Sequence, residues 1–418
     1  MTSIARSARS GGAHRTPSGS RSRNTAVAPE RSGQVVLAGV VALLCLIGLV
    51  MVLSASSVQA LREGGSSWFY FRRQVLWVGA GSAALVVAAR LDYRLLRRLG
   101  LPLLVASVAL LVVVLVPGMG ISVNGSTRWI GVGGWRMQPS ELAKLGLLLS
   151  SADLLARRGG RPDTGRSAMW VVLLGFLLVA ALVMAQPDLG TTLVVGWMVL
   201  CLLYVAGTPL RSVAGLLAAG AGAAFVLGMA EPYRRERLLS FMNPWADADN
   251  TGYQVVQSLV GMGTGRFTGV GVGASRAKWG FLPNAHTDFI FSIIGEELGM
   301  VGSLIVIALF AAFALVGIRI ALRARDRYGM LLAAGITSWV ISQAFINIGA
   351  VVGVVPVSGL PLPFVSFGGT SMVLLMGAVG VLLNIAGQGS ARPAGRPTPA
   401  VSTAPTPRSG RLRPQPVR

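Results

Sequence analysis

Between residues 34 and 387 the chain returns again and again to apolar stretches long enough to cross a bilayer, which takes about 20 residues at roughly 1.5 Å of rise each. Inside a hydrocarbon core there is no water to satisfy backbone amides. A repeating pattern of this kind therefore points to a bundle of membrane-spanning helices. Hydropathy predicts an all-α, polytopic membrane protein with about ten spans, near 34–56, 74–91, 100–118, 140–156, 169–186, 189–206, 211–230, 289–318, 329–356 and 371–387. The eighth and ninth exceed what a bilayer needs and must tilt, break or project from it. Composition agrees: 12% of residues are charged and 53% apolar, about half the charged share of an ordinary soluble domain.

The first span is followed by "SASSVQA" (54–60), which looks like a signal-peptide cleavage site. Its apolar core of about 20 residues exceeds the roughly 7–15 of a signal peptide, so it reads as a retained helix. The formal net charge is +22, and its distribution argues against a nucleic-acid partner. With the N-terminus in the cytosol, 25 basic residues fall in cytosolic segments, against 5 in the short outside loops: Arg62, Arg72, Arg73, Arg128 and Arg136. That asymmetry predicts both termini on the cytosolic side. Residues 1–32 and 389–418, rich in Ser, Gly, Pro and Arg, read as solvated tails around a membrane domain of 33–388. Such tails suit anionic lipid, a cytosolic partner, or no partner at all. Cys45 and Cys201 both lie in predicted spans, which argues against a disulfide.

This topology leaves one long outside loop, 231–288, where connections of about 4–6 residues are usual. Its end contains "GFLPNAHTDFIFSIIGEELG" (280–299). Only 15 Asp and Glu serve 418 residues, yet Asp288, Glu296 and Glu297 fall here beside His286, one of two histidines. Pro283 ends an extended approach, and a helix from Phe289 is predicted to place Asp288 in its first turn at the outer surface. Ser292, Gly295 and Gly299 form a stripe of small residues below it, leaving room for a partner helix or a ligand. The two glutamates are expected roughly 12 Å deeper, facing the bundle interior or a wet cavity. Asp288 has two readings, a helix N-cap or a reactive carboxylate. A His286–Asp288 metal pair lacks a third ligand.

A second group of polar residues is "NGSTRWIGVGGWRMQPSELAK" (124–144). Pro139 suits a first helical turn, and Glu141 and Lys144, three apart, share a face. Structural pairing is the default; Arg128, Arg136 and Lys144 could instead offer cationic donors to an anionic substrate. "QPDLGTT" (186–192) suggests a cap by Asp188. "PVSGLPLPFVSFGGTS" (356–371) is too rich in Pro and Gly for a regular span, and irregular backbone at that depth needs a cover of protein or water. Its Ser358, Ser366, Thr370 and Ser371 could line a sugar-binding wall or simply satisfy backbone groups. "GVGVG" (269–273) lacks the strand and helix of a dinucleotide site, and no P-loop occurs. Outward-facing chemistry must therefore use an already activated substrate.

"MQPSELAK" (137–144), "AQPDLG" (185–190), "GYQ" (252–254), "KWGFLPNAHTDFIFSIIGEELG" (278–299), "QAFINIG" (343–349) and "PLPFVSFGGTS" (361–371), in that order, resemble the SEDS family of shape, elongation, division and sporulation proteins. "VLSAS" (52–56) and "HTDFIF" (286–291) look more like its division branch than its elongation branch. The resemblance covers about 34–388. It implies a peptidoglycan glycosyltransferase that polymerises lipid II at the outer face of the bacterial cytoplasmic membrane during septal wall synthesis. A class B penicillin-binding protein and other division proteins are the implied partners. Asp288 would be the catalytic base, with Glu141 and Lys144 as functionally important positions. Arg128, Arg136, Lys144, Arg276 and Lys278 would neutralise the departing diphosphate, with a divalent cation, Mg or Mn, as a candidate helper. His286, Ser366 and Thr370 complete the expected substrate-binding set. Asn284 departs from the family pattern, where Glu is common. The competing readings are a lipid II flippase, which would use Glu141, Lys144, Glu296 and Glu297 near the midplane, and a scaffold without turnover.

Overall fold

The fold is taken from a computed structural model, and its described residues are 28–123, 126–132, 135–158, 162–230, 235–236 and 241–389. Most of both predicted tails lies outside them. The helices are α1 (Ala28–Gly64), α2 (Phe69–Arg90), α3 (Leu96–Leu115), α4 (Pro139–Arg158), α5 (Pro162–Ala185), α6 (Leu189–Val205), α7 (Leu210–Ala230), α8 (Tyr253–Gly265), α9 (Ile290–Glu297), α10 (Gly299–Arg323), α11 (Arg327–Val351) and α12 (Thr370–Gly389). Every predicted span coincides with a helix, except that the eighth is divided between α9 and α10. Among the described residues six segments are long and apolar enough to cross a membrane: Gly33–Glu63, Tyr93–Leu115, Arg166–Ala185, Gly299–Arg323, Arg327–Val351 and Thr370–Gly389. Leu189–Val205 and Leu210–Val226 are shorter apolar helices. α2 packs along α12, where a Cβ on Gly380 would stand 2.3 Å from the Leu85 carbonyl oxygen. Such small residues let membrane helices approach closely.

α11 runs through the middle of the bundle, burying Tyr328, Leu332, Trp339, Gln343 and Asn347, while Leu76, Leu101, Leu174 and Leu322 on other helices face outward. The chain is a multi-pass membrane protein. Its predicted cytosolic segments meet at one end: Arg94 Nε lies 3.1 Å from Asp326, and Arg97 and Arg157 lie 3.6 and 2.8 Å from Asp153. Tyr93 stacks on Tyr328 beside them.

The other end carries an element absent from the hydropathy reading, a three-stranded antiparallel sheet of β1 (Ile121–Val123), β2 (Ser126–Val132) and β3 (Trp135–Met137), in that order. Ser122 pairs with Thr127 and Ile130 with Met137.

The break in the eighth span separates the two glutamates from the long helix α10. Gly299 adopts φ +68°, a left-handed conformation glycine enters without steric penalty, and a Cβ there would stand 2.4 Å from the Gly269 nitrogen. The segment 266–271 crosses the gap. Val270 N and Gly271 N donate to the carbonyls of Glu296 and Glu297 at 3.0 and 3.1 Å, and Met300 N and Val301 N donate to the carbonyls of Arg266 and Phe267 at 2.9 and 3.1 Å. Helix-end groups that would otherwise be orphaned are thereby satisfied. α10 alone has 25 residues, about 37 Å, enough for a bilayer. Glu296 and Glu297 therefore stand at the head of this helix, not inside it.

There they bind the loop. Glu296 accepts hydrogen bonds from Ser275 Oγ (2.5 Å) and Arg276 N (2.8 Å). Glu297 accepts them from Ser54 Oγ (2.6 Å) and Ser275 N (3.2 Å). The small-residue stripe receives a helix of the same chain: Ser292 Oγ donates to the Ser258 carbonyl of α8 at 3.1 Å, and a Cβ on Gly265 would stand 2.0 Å from the Gly295 carbonyl oxygen.

Candidate active site

Asp288 does not sit in the first turn of a helix, as the sequence suggested. α9 begins at Ile290, and its N-cap position is Phe289, which makes no side-chain cap. Asn284 causes the delay. It adopts φ +56°, which Asn tolerates better than most residues, and its carbonyl accepts from Thr287 N (3.1 Å) and Phe289 N (3.3 Å). The unusual Asn of this motif thus has a backbone reason to be there, and the turn it closes presents a half-buried Asp288 on the outer rim.

The turn is held from behind. Asn347 Nδ2 on α11 donates to the Asp288 carbonyl at 2.7 Å and to the Leu360 carbonyl at 2.6 Å. It joins Asp288 to the irregular segment 352–369, whose Leu362, Phe364, Val365 and Ser366 are buried. A Cβ added to Gly359 in this segment would stand 3.8 Å from Asp288 Oδ2 and 4.0 Å from Arg128 Nη1. Carboxylate and guanidinium therefore flank the same glycine. Arg128, on β2, is itself fixed: Nε donates to the Gln186 carbonyl at 3.0 Å, Nη2 to the Pro187 carbonyl, and Nη1 lies 3.7 Å from Asp188. Asp188 caps α6 by accepting from Thr191 N at 3.0 Å.

The other expected site residues separate into groups. Glu141 and Lys144 form a buried pair at 2.7 Å, with side chains 2% and 0% exposed. Lys144 Nζ also donates to Gln343 Oε1 at 3.1 Å and lies 5.0 Å from the Trp339 ring centre. Gln343 Nε2 in turn donates to the Pro361 carbonyl at 3.0 Å. The pair thus supports the irregular segment from inside the bundle, and Lys144 has no exposed face with which to meet a diphosphate. Arg136 is exposed on β3. Arg276 is exposed and Lys278 lies 3.7 Å from Glu297, both within the loop bound by the two glutamates. Ser366 Oγ accepts from Leu362 N at 2.8 Å, so it satisfies backbone and lines no open wall. Thr370 begins α12 with a buried hydroxyl that finds no partner among the described residues.

His286 is buried against the Tyr70 ring, 4.6 Å between centres, and its carbonyl accepts from Phe367 N at 3.1 Å. Burial pushes its pKa down to about 4, against a smaller opposing pull from Glu63. An unfolded histidine takes up its proton near pH 6.5, so between about pH 6.5 and 4 the unfolded chain binds the extra proton. This contribution to stability is complete above pH 6.5 and falls as pH drops towards 4. The melting temperature in detergent is expected to decrease from pH 7 to pH 5, and His286→Phe is expected to flatten that slope. An unchanged slope in the variant would assign the pH dependence to other groups.

Among the described residues no three His, Cys, Asp or Glu side chains converge as a metal set. Asp188 lies 3.7 Å from Arg128 Nη1, and a carboxylate already facing a guanidinium, with Asp288 beside Gly359, is a donor set that does not fit the several oxygen ligands required by Mg or Mn. Sequence reasoning passed over Asn347 and Gln343. The signal was present: two amides four apart on an otherwise apolar helix are costly in a membrane unless they bind something.

Chemically, the rim brings one half-buried carboxylate and a rigidly held guanidinium to the same glycine, at the end of the bundle opposite the Asp153 and Asp326 ion pairs. A family model described as cell cycle protein, that of FtsW, RodA and SpoVE, matches residues 34–391. The chain is 42% identical to the probable peptidoglycan glycosyltransferase FtsW of Geobacter metallireducens, covering 85% of this chain and 95% of that one. It is 41% identical to stage V sporulation protein E of Bacillus subtilis, covering 85% and 97%. Among solved structures it resembles a chain of a peptidoglycan synthase complex that coordinates polymerisation and crosslinking, with a TM-score of 0.69 at 31% identity, covering 85% and 98%. It also resembles the rod shape determining protein RodA of Thermus thermophilus, with a TM-score of 0.62 at 27% identity, covering 84% and 96%.

Proposed function

Because the chain belongs to the cell cycle protein family of FtsW, RodA and SpoVE, we propose that it is a peptidoglycan glycosyltransferase that polymerises lipid II at the outer face of the cytoplasmic membrane. Asp288 acts as the general base. It takes the proton of the incoming N-acetylglucosamine 4-hydroxyl as that oxygen bonds to the anomeric carbon of the donor sugar. The bond from that carbon to the undecaprenyl diphosphate breaks, and the diphosphate leaves with the electron pair. The activation energy is stored in the substrate, so no nucleotide is consumed. Arg128 supports the developing negative charge from a fixed position, since its other donors already bind the Gln186 and Pro187 carbonyls.

The observation that carries this reading is the approach of Asp288 and Arg128 to the same glycine, Gly359. The similarity to a chain of a synthase complex supports a class B penicillin-binding protein as partner. The relatives named FtsW support action at the division septum. The purified full-length protein, given labelled lipid II in detergent with and without the transpeptidase, is expected to produce glycan polymer. Absence of polymer under both conditions would sink the enzymatic reading and favour transport or scaffolding.

A further inference from the structure

On the outer face a cavity of about 480 Å³ opens between the end of α3, strands β1 and β2, and the turn from α5 to α6. Its size falls in the range of about 300–1,000 Å³ typical of small-molecule sites. Ser122, Ser126 and Thr127 supply hydroxyls to its wall, those of Ser122 and Thr127 hydrogen-bonded to each other, and Leu115, Val116 and Pro117 supply apolar groups. None of its described lining residues is charged. A diphosphate would find no cation there, and a prenyl chain would meet hydroxyls. The lining suits a neutral ligand that is polar at its edges and apolar on its faces, which describes a pyranose ring.

The cavity shares a wall with the candidate active site. Gln186 and Pro187 line it, and their carbonyls are the ones that bind Arg128. Arg128 Nη1 and Asp288 Oδ2 lie 4.0 and 3.8 Å from the position a Cβ on Gly359 would take, so the carboxylate is within a sugar ring's length of that wall. A saccharide seated in the cavity can therefore extend past Arg128 towards the carboxylate. We propose that this cavity binds a neutral N-acetylhexosamine unit of the glycan strand, adjacent to the sugar that reacts at Asp288. The inference rests on the glycosyltransferase reading above and names a separate place on the strand.

Chitotetraose, which carries neither lipid, diphosphate nor peptide, is the probe. Its binding to the full-length protein in detergent can be followed by saturation-transfer NMR. Wild type and Asp288→Asn are expected to bind it equally. Ser126→Trp, which fills the cavity, is expected to weaken binding at least tenfold and to raise KM for lipid II. Thr127→Val, which removes a hydroxyl at nearly constant shape, is expected to weaken binding severalfold and serves if the larger substitution disturbs folding. Failure of wild type to bind chitotetraose, wild-type binding by both cavity variants, or binding of the stem pentapeptide in its place would overturn the proposal. Failure of wild type to polymerise lipid II would instead defeat the glycosyltransferase reading.

Discussion

Asp288→Asn is expected to abolish detectable polymerisation of lipid II, since loss of a positioned general base typically removes about 10²–10⁴ in rate. The substitution is nearly isosteric, and the Asn347 and Asn284 contacts that hold the turn are made to or by backbone. Asn347 still grips the carbonyl of residue 288, and the Asn284 carbonyl still closes the turn. The melting temperature and the affinity for the transpeptidase should therefore stay close to wild type. The lost feature is a group able to accept and hold a proton. Wild-type glycan synthesis by this variant would remove Asp288 from the mechanism.

The second large effect is expected at Lys144. Its ammonium is fully buried against Glu141, and removing one partner of a buried ion pair typically costs about 3–5 kcal/mol because the other charge is left uncompensated. Lys144→Met should lower the melting temperature sharply and loosen the Pro361 region that Gln343 supports. The double variant Glu141→Leu/Lys144→Met removes both charges, and buried pairs replaced by apolar residues are often neutral. Recovery of stability together with polymerisation would show that the pair acts through the scaffold. Recovery of stability without polymerisation would give the pair a direct part in catalysis.

Much of this fold was legible because a bilayer imposes one dominant pattern. Apolar length located the helices, and arginine placement located the ends that meet around Asp153 and Asp326. Asp288 was expected at one end of the bundle, and the structure places it beside Gly359, at the end remote from those ion pairs. The features that escaped detection are those in which backbone conformation overrides hydropathy. β1 and β3 have three residues each, too few for a period-two pattern, although Asn124-Gly125 and Gly133-Gly134 between the strands are hairpin signals. The break at Gly299 lies among apolar residues that suit a continuous helix equally well. It depends on 266–271, more than twenty residues earlier, arriving to satisfy its ends. Lys144 looked available to an anion because spacing reveals a shared helical face but does not show which neighbour covers it.

The ion pairs around Asp153 and Asp326 make the two ends of the bundle respond differently to solution conditions. Arg94 and Arg157 remain 42% and 65% exposed, and exposed pairs contribute only about 0–1 kcal/mol. At 0.1 M ionic strength the screening length is about 10 Å, so mobile counterions compete with these contacts directly. The glutamates that anchor the outer loop are shut away from such competition. Rising electrolyte concentration is expected to loosen the end around Asp153 and Asp326 first and leave the rim around Asp288 in register.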